Sequence, residues 1–253
     1  MLKVRVMPTL LFKNVGLVKG IGFDSWRRVG GVIQSMKVYN LRQVDEMVLL
    51  DISATLEGRR PDFQAVDEYA DACFVPFTVG GGVRTVDDVK GLLQVGADKV
   101  ALNTAAFESP ELIRESADRF GVQCVVVSID ARRMPDGTYM AFTHAGTRPT
   151  GEAPATSARR VAALGAGEIL LTSIERDGTM AGYDVELVRQ VSSVVDVPVI
   201  ASGGAGSYEH MYEAITAGGA SAVAAASIFH FTEQTPREAK NFLRARGIPV
   251  RVD

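Results

Sequence analysis

The length, composition and charge of the chain exclude several classes of protein. It has 253 residues, of which 47% are hydrophobic and 23% are charged, and its formal net charge is −3. A chain of this size buries enough apolar surface for one large domain or two small ones. The slightly acidic balance gives no basic field of the kind that attracts nucleic acid.

The first residues and the two cysteines bear on the compartment. Residues 1–12 are too short for a signal segment with a cleavage site, and no apolar run approaches the roughly 18 residues of a membrane span. Cys73 and Cys124 lie in apolar segments, where we expect reduced core side chains in strands or helices. These features predict a soluble, cytosolic protein with no membrane partner.

Short apolar runs alternate with longer helical patterns along the whole chain. The predicted strands are 3–11, 46–52, 76–80, 99–103, 124–130, 168–173, 198–202 and 222–226. The clearest predicted helices are 85–95, 110–120 and 236–246. Thr85 is the predicted N-cap of the first of these helices, and Pro236 takes the first position of the last one, behind Thr235. Eight continuous apolar strands that alternate with helices predict a single α/β domain, a (β/α)8 or TIM barrel over residues 1–253.

Two stretches of the sequence repeat one pattern. Residues 75–107 and 197–229 both begin with Val-Pro, carry a glycine run at the strand end and close on a strand of small residues. The period is about half the chain. It predicts a barrel made of two duplicated half-barrels, approximately 1–121 and 122–253.

The glycine runs after the third and seventh strands indicate phosphate binding. In such barrels the ligand site lies at the carboxyl ends of the strands, and each run leads into a helix with free backbone N–H groups. One run is typical of a tight turn, whereas two symmetric runs favour a ligand with a phosphate at each end. The residues assigned to these two sites are Gly81, Gly82, Asn103, Thr104, Gly203, Gly204, Ala226 and Ser227.

Three aspartates follow strands on the same side of the predicted barrel. Asp130 closes the fifth strand, where an apolar approach would raise its pKa and suit acid/base catalysis; the alternative is a solvated loop acid or a cap. Asp51 and Asp177, with Gly178 beside it, either orient ligand hydroxyls or form turns. Three histidines are scattered without the spacing of metal ligands: His144, His210 and His230. We therefore predict no metal site and no cofactor.

Charged residues stand at the starts of four predicted strands: Arg5, Glu46, Lys99 and Glu168. Charges that point into the amino end of a barrel are costly unless they pair with one another. Four of alternating sign predict a salt-bridged gate across the bottom of the barrel.

A series of ordered motifs covers essentially the whole chain: DEMVLLDISA, FTVGGGVRT, GADKVALNTAA, VVVSIDARR, GAGEILLTSIERDGTMAGYD, PVIASGGAG and REAKNFLRARGIPVR. In these motifs the chain resembles the cyclase subunit of imidazole glycerol phosphate synthase. In that family a glutaminase docks on the amino face, and ammonia passes a gate of one Arg, two Glu and one Lys. The ammonia crosses the barrel and attacks a bisphosphorylated precursor.

The resemblance implies roles for several residues. The four charged residues at the strand starts match the gate, and the glycine runs match the phosphate sites. Asp130 matches one of two essential aspartates, and Asp98 matches an acid that contacts the partner.

The first strand departs from the family pattern. Where the family reads like CLDVKDG, this chain reads TLLFKNVG. Leu11 takes the place of the other essential aspartate, Thr9 replaces a cysteine and Asn14 replaces a second loop acid, while Lys13 and Lys19 remain. Leucine cannot transfer a proton, so we expect changed chemistry at the mouth with ammonia delivery and phosphate binding retained.

The pattern PTLL-x-K-x-x-GLVK and the segment HFTEQTP at 230–236 resemble the cyclase-like paralogues of bacterial surface-polysaccharide gene clusters. Those are thought to supply ammonia, with a glutaminase-like subunit and a separate amidotransferase, to convert an acetamido sugar into an acetamidino sugar. The favoured interpretation is an ammonia-channelling synthase subunit with a glutaminase partner and a phosphorylated substrate. The alternatives are a true cyclase, with Asp130 alone or helped by Asp51, and a non-catalytic conduit. The sister isomerase of histidine biosynthesis shares the barrel but needs no gate.

The segment 13–32 also differs from the remainder of the chain. It contains several glycines and Trp26, the one tryptophan of the sequence. This composition fits a mobile lid over the mouth, and Trp26 could equally anchor the segment against the first helix.

Overall fold

The computed structural model describes residues 3–14 and 16–251, which form a closed barrel. Its strands are β1 (Arg5–Lys13), β2 (Gly16–Ile21), β3 (Asp24–Gly30), β4 (Met47–Asp51), β5 (Phe77–Gly80), β6 (Lys99–Leu102), β7 (Val125–Arg133), β8 (Tyr139–Thr143), β9 (Arg148–Pro149), β10 (Glu168–Ser173), β11 (Val199–Ser202) and β12 (Ala222–Ala225). Eight of them pair in parallel in the order β1-β4-β5-β6-β7-β10-β11-β12, and β12 pairs with β1 to close the ring. The predicted TIM barrel is confirmed.

Helices follow the barrel strands and cover the outside of the ring. They are α1 (Val32–Leu41), α2 (Phe63–Ala70), α3 (Val86–Gln94), α4 (Thr104–Glu108), α5 (Glu111–Phe120), α6 (Pro154–Ala163), α7 (Val185–Ser192), α8 (Tyr208–Thr216), α9 (Ser227–Phe231) and α10 (Pro236–Ala245). Thr85 and Thr235 cap α3 and α10 as predicted, and each forms a reciprocal capping box with the acid three residues later.

Two hydrophobic layers explain why the strands are apolar on both faces. The larger layer lies between the strands and the helices. The smaller layer fills the barrel interior with Met7, Val48, Ala101, Val126, Leu170, Ile200, Ala222 and Ala224. Side chains alternate along a strand, so each barrel strand feeds both layers and reads as a continuous apolar run.

The segment 13–32, expected to be a loop, contains regular β structure. Strand β1 continues to Lys13 instead of ending at Leu11, and residues 16–30 form an antiparallel hairpin, β2–β3, that pairs with the end of β1. Gly22 and Phe23 form its turn with positive φ angles of 60° and 65°. Trp26 packs across the hairpin on Gly20, where an added Cβ would lie 2.8 Å from the Trp26 ring. The hairpin is therefore a regular β structure.

Two further sequence predictions need correction. Strand β7 runs to Arg133, so Asp130 lies within the strand and not at its end, and the antiparallel strands β8 and β9 follow it. Cys73 and Cys124 are free thiols as expected, but both are half-buried instead of belonging to the core. Neither lies in an α-helix or a strand. Among the described residues, no helix has the length and apolarity needed to cross a membrane.

Candidate active site

A cavity opens at the carboxyl ends of the barrel strands. It encloses about 1180 Å³ of space, open mouth included. The residues predicted for the mouth of the barrel all line it: Lys19, Asp51, Gly81, Gly82, Asn103, Thr104, Asp130, Asp177, Gly178, Gly203, Gly204, Ala226 and Ser227. The sequence prediction and the fold therefore bring the same thirteen residues to one place.

The two glycine runs approach the cavity with their backbone. Gly81 and Gly204 have φ angles of 111° and 107°, which other residues rarely adopt. A Cβ on Gly81 would lie 2.3 Å from the Asp51 carbonyl oxygen, and one on Gly204 would lie 2.1 Å from the Gly182 carbonyl oxygen. Neither position can accept a side chain, so the backbone is what each run presents to the cavity.

The hydroxyl groups beside the two runs are used differently. Ser227 is 5% exposed, and within residues 3–14 and 16–251 its hydroxyl has no hydrogen-bond partner. A buried hydroxyl without a partner costs about 1–3 kcal/mol, so Ser227 offers a hydrogen bond that a ligand would satisfy. The Thr104 hydroxyl already accepts a hydrogen bond from the His144 backbone N–H at 3.1 Å. The two predicted phosphate sites are therefore not equivalent.

Asp130 is the acid/base candidate of the cavity. The residue is 9% exposed, and its carboxyl oxygens lie 3.4 Å from Ser128 Oγ and 3.3 Å from Asn103 Nδ2. Burial raises the pKa of Asp130 to about 7; the Ser128 hydrogen bond opposes this, and the nearby negative charge of Asp177 adds to it. Near neutral pH both the protonated and the ionised forms of this carboxyl are populated, which suits proton transfer in either direction.

Position 11, where the resemblance places a second aspartate, is apolar. Leu11 lines the cavity and pairs in register with Leu50 of β4 and Val18 of β2. Below it on β1, Thr9 is 7% exposed, and among the described residues its Oγ1 has no partner. Towards its carboxyl end, β1 thus offers the cavity one hydroxyl group that is not hydrogen-bonded within the described residues, and it offers no carboxylate.

The two other carboxylates that line the cavity are both engaged. Asp51 Oδ1 accepts hydrogen bonds from its own loop, from the backbone N–H groups of Ser53 and Ala54, and its Oδ2 lies 3.1 Å from Arg59. This is the turn-forming alternative for Asp51. Asp177 is bound through both oxygens by Lys19, so neither carboxylate is free to replace the missing one.

Contacts around Asp177 hold the hairpin against the loop after β10. Lys19 Nζ lies 2.7 Å from both Asp177 oxygens, and Lys19 is only 3% exposed. The Gly22 N–H donates to the Asp177 carbonyl at 2.9 Å. A Cβ on Gly178 would lie 2.0 Å from the Gly20 carbonyl oxygen, so the two backbones are in close contact. The hairpin therefore covers part of the mouth in this structure.

The four charged residues at the strand starts form a closed ring of salt bridges, which we call the ionic ring: Arg5, Glu46, Lys99 and Glu168. Arg5 Nη1 lies 2.7 Å from Glu46 and 2.8 Å from Glu168, and Lys99 Nζ lies 2.9 Å and 3.1 Å from the same two acids. Burial opposes the charge of Arg5, but the two carboxylates outweigh it and raise its pKa. The ring carries no net charge and lies one layer below Met7 and Val48.

Asp98 lies on the same amino face. Its side chain accepts a hydrogen bond from the Phe77 backbone N–H at 2.8 Å, and the residue is exposed. Asp98 thus braces β5 against β6 while remaining open to solvent. As for metal ions, the described part of the chain contains no group of three or more His, Cys, Asp or Glu side chains placed to hold one.

Sequence reasoning missed several hydroxyl and aromatic side chains of the cavity wall: Ser128, Thr172, Ser202, Phe23 and Trp26. Ser128 could have been found, because it stands two residues before Asp130 and shares its face of the strand. Phe23 and Trp26 depend on a hairpin that the sequence did not reveal.

The fold and the cavity define the class of protein: a (β/α)8 barrel with a cavity at the carboxyl ends of the strands, where barrel enzymes bind their ligands. A family model described as histidine biosynthesis protein matches residues 5–235, which is nearly the whole chain. The chain belongs to this family. It is a barrel of the cyclase-like or isomerase type.

Proposed function

We propose that this protein is a cyclase-like synthase subunit that takes ammonia from a glutaminase at its amino face. The ammonia crosses the barrel and reaches a phosphorylated acceptor at the carboxyl face, outside histidine biosynthesis. The observation that carries the proposal is the ionic ring. A barrel bottom is sealed more cheaply by apolar side chains than by four largely buried charges, so the ring indicates a function beyond stability.

The interior above the ionic ring supports this route. From bottom to top the inward side chains of β1 are Arg5, Met7, Thr9 and Leu11, and those of β7 end in Ser128 and Asp130. A small neutral molecule that passed the ring would meet an apolar layer and then hydroxyl groups. Thr9 would offer it an unused hydrogen bond.

The chemistry at the mouth rests on one proton-transfer group. When ammonia attacks an electrophilic carbon of the acceptor, a C–N bond forms and the nitrogen carries one surplus proton. The Asp130 carboxylate takes this proton and returns it to the acceptor oxygen that leaves as the bond between that oxygen and the carbon breaks. Because Leu11 provides no second acid or base, we propose an acceptor other than the histidine precursor, as in the acetamidino-sugar paralogues, where a separate amidotransferase is a further partner.

The test is reconstitution with the class I glutaminase encoded nearest to the gene. We expect this subunit, with its exposed Asp98 at the contact, to stimulate glutamine hydrolysis, and we expect no imidazole glycerol phosphate from the histidine precursor. Turnover to that product at a normal enzymatic rate would establish the true cyclase instead. The variant Asp130→Asn separates catalysis from a passive conduit, because a conduit would support amination by a third protein at the unchanged rate.

A further inference from the structure

We propose that the mouth of the cavity binds an apolar group of the phosphorylated acceptor on a surface formed by Leu11, Leu50, Ile52 and Trp26, which we call the apolar flank. The inference rests on the proposed function only in taking the ligand to be a phosphate ester. It adds the class of that ester: one whose phosphate carries an apolar or aromatic substituent.

The apolar flank is continuous across neighbouring strands. Leu11 of β1 pairs in register with Leu50 of β4, and the Ile52 N–H donates to the Phe12 carbonyl at 3.0 Å. Trp26 reaches the same cavity from β3 of the hairpin. All four residues of the flank are half-buried. Leu11 and Leu50 therefore lie side by side with Ile52 next along the chain, and Trp26 lines the same cavity.

Three of the four residues of the flank lie outside the two hydrophobic clusters, whereas Leu50 packs against the smaller one. Within residues 3–14 and 16–251, Leu11, Ile52 and Trp26 line the cavity without packing in either hydrophobic cluster. Phe12, the next residue on β1, points the other way and packs against the larger cluster. Apolar side chains that the core does not use, in a concave site, are what a ligand with an apolar part would bury.

The flank lies between the two elements assigned to phosphate. In the ring order β12-β1-β4-β5, Leu11 and Leu50 of the flank belong to the middle two strands. Ser227, with its unpartnered buried hydroxyl, follows β12 on one side, and the run Gly81–Gly82 follows β5 on the other. A phosphate bound at Ser227 therefore places its substituent alongside Leu11.

Charge complements this arrangement. The ionisable groups that line the cavity are Asp130, the Lys19–Asp177 pair and Asp51, which stands between Leu50 and Ile52. Leu11 contributes no charge to this side of the cavity, and the Asp51 carboxylate is paired with Arg59 at 3.1 Å. The apolar side chains of the flank therefore lie next to a paired carboxylate, where they can contact an apolar substituent.

The first test compares three probes on the unaltered protein by calorimetric titration: phenyl phosphate, glycerol 3-phosphate and inorganic phosphate. We expect phenyl phosphate to bind at least about tenfold more tightly than glycerol 3-phosphate, because only its ring buries apolar surface. The emission of Trp26, the one tryptophan in the sequence, should change with phenyl phosphate. Equal affinities for the two esters, or no binding of any probe, would overturn the proposal.

The second test uses variants at position 11. Leu11→Asn should abolish most of the preference for phenyl phosphate and change the affinity for glycerol 3-phosphate by less than about twofold. Leu11→Met, the matched apolar control, should keep the preference. Unchanged selectivity in a folded Leu11→Asn protein refutes the flank. Ser227→Ala should weaken the binding of all three probes. Unchanged affinities in this variant would refute the placement of the phosphate at Ser227.

None of these titrations involves ammonia or a glutaminase. A preference for phenyl phosphate without glutamine-dependent amination would contradict only the proposed function. Amination without the preference would contradict only the apolar flank.

Discussion

Lys19 on the hairpin donates to both carboxylate oxygens of Asp177, 2.7 Å away, inside the wall of the cavity. Removing one member of such a buried pair leaves the other charge without a partner. We expect Lys19→Met to lower the free energy of unfolding by about 3 kcal/mol. Urea denaturation measures this loss, and limited proteolysis should show faster cleavage within 16–30 because the hairpin loses its attachment.

The chain offers a matched control for this prediction. Arg189 pairs with Glu186 on the surface of α7, with side chains 64% and 49% exposed. Arg189→Met should cost less than about 1 kcal/mol, since exposed ion pairs contribute little. Equal losses in the two variants would mean that the Lys19–Asp177 pair does not hold the hairpin.

Asp130 should make the stability of the protein depend on pH. Its folded pKa of about 7 lies above the ordinary value of an aspartate, so between about pH 4 and 7 the native state binds more protons than the unfolded state. Stability therefore falls as the pH rises through this window, by up to about 4 kcal/mol in total. Asp130→Asn should remove this fall and be more stable than the parent protein at pH 8. Urea unfolding at several pH values is the measurement, and an identical pH profile in both proteins would contradict it.

The ionic ring should behave as one unit. In Lys99→Met, Glu46 and Glu168 share Arg5 as their partner in the ring. The free energy of unfolding should fall by about 1–3 kcal/mol, which is less than in a fully buried site because the ring side chains are 8–14% exposed. Adding Glu46→Gln restores a balanced Arg5–Glu168 pair. The loss of unfolding free energy in the double variant should therefore be smaller, by at least about 1 kcal/mol, than the summed losses of the two single variants. Simple additivity in this double-mutant cycle would show independent pairs.

Gly204→Ala should be far more damaging than Gly151→Ala. Both glycines have positive φ angles, 107° and 81°, so an alanine at either position pays for an unfavourable backbone conformation, about 1 kcal/mol. At Gly151 nothing lies within 4 Å of the added Cβ, whereas at Gly204 it would collide with the Gly182 carbonyl oxygen. Thermal unfolding should show that Gly204→Ala loses several kcal/mol more stability than Gly151→Ala. Equal losses in the two variants would exclude the close contact between Gly204 and the Gly182 carbonyl oxygen.

The features that the sequence predicted well are those decided by neighbours in the chain. Thr85 and Thr235 carry their own capping acids three residues later, so local chemistry fixes the helix starts. The apolar runs and the glycines after them placed the barrel strands and the mouth of the cavity. Asp130 was found because the alternation of its strand points it inward.

What the sequence did not reveal depends on distant partners. The hairpin at 16–30 contains Gly16, Gly20 and Gly22, which lower strand propensity, and it forms because β2 pairs with the end of β1 and because Asp177 binds Lys19. Arg59 forms a salt bridge with Asp51, and it lies on a loop whose path no local sequence pattern indicates. Both features depend on contacts between distant segments. From the sequence, 13–32 was therefore expected to be a loop, and Asp51 was left with two alternatives, a ligand contact or a turn.

The nine residues of β1 have a consequence for how the two ends of the molecule communicate. This strand begins with Arg5 at the floor and, about 26 Å further on, continues into the hairpin that is fastened across the entrance. A hydrogen-bonded strand with a neighbour on each side stretches very little. A displacement of the hairpin that keeps its pairing with β1 therefore moves one end of the strand whose other end carries Arg5 of the ionic ring.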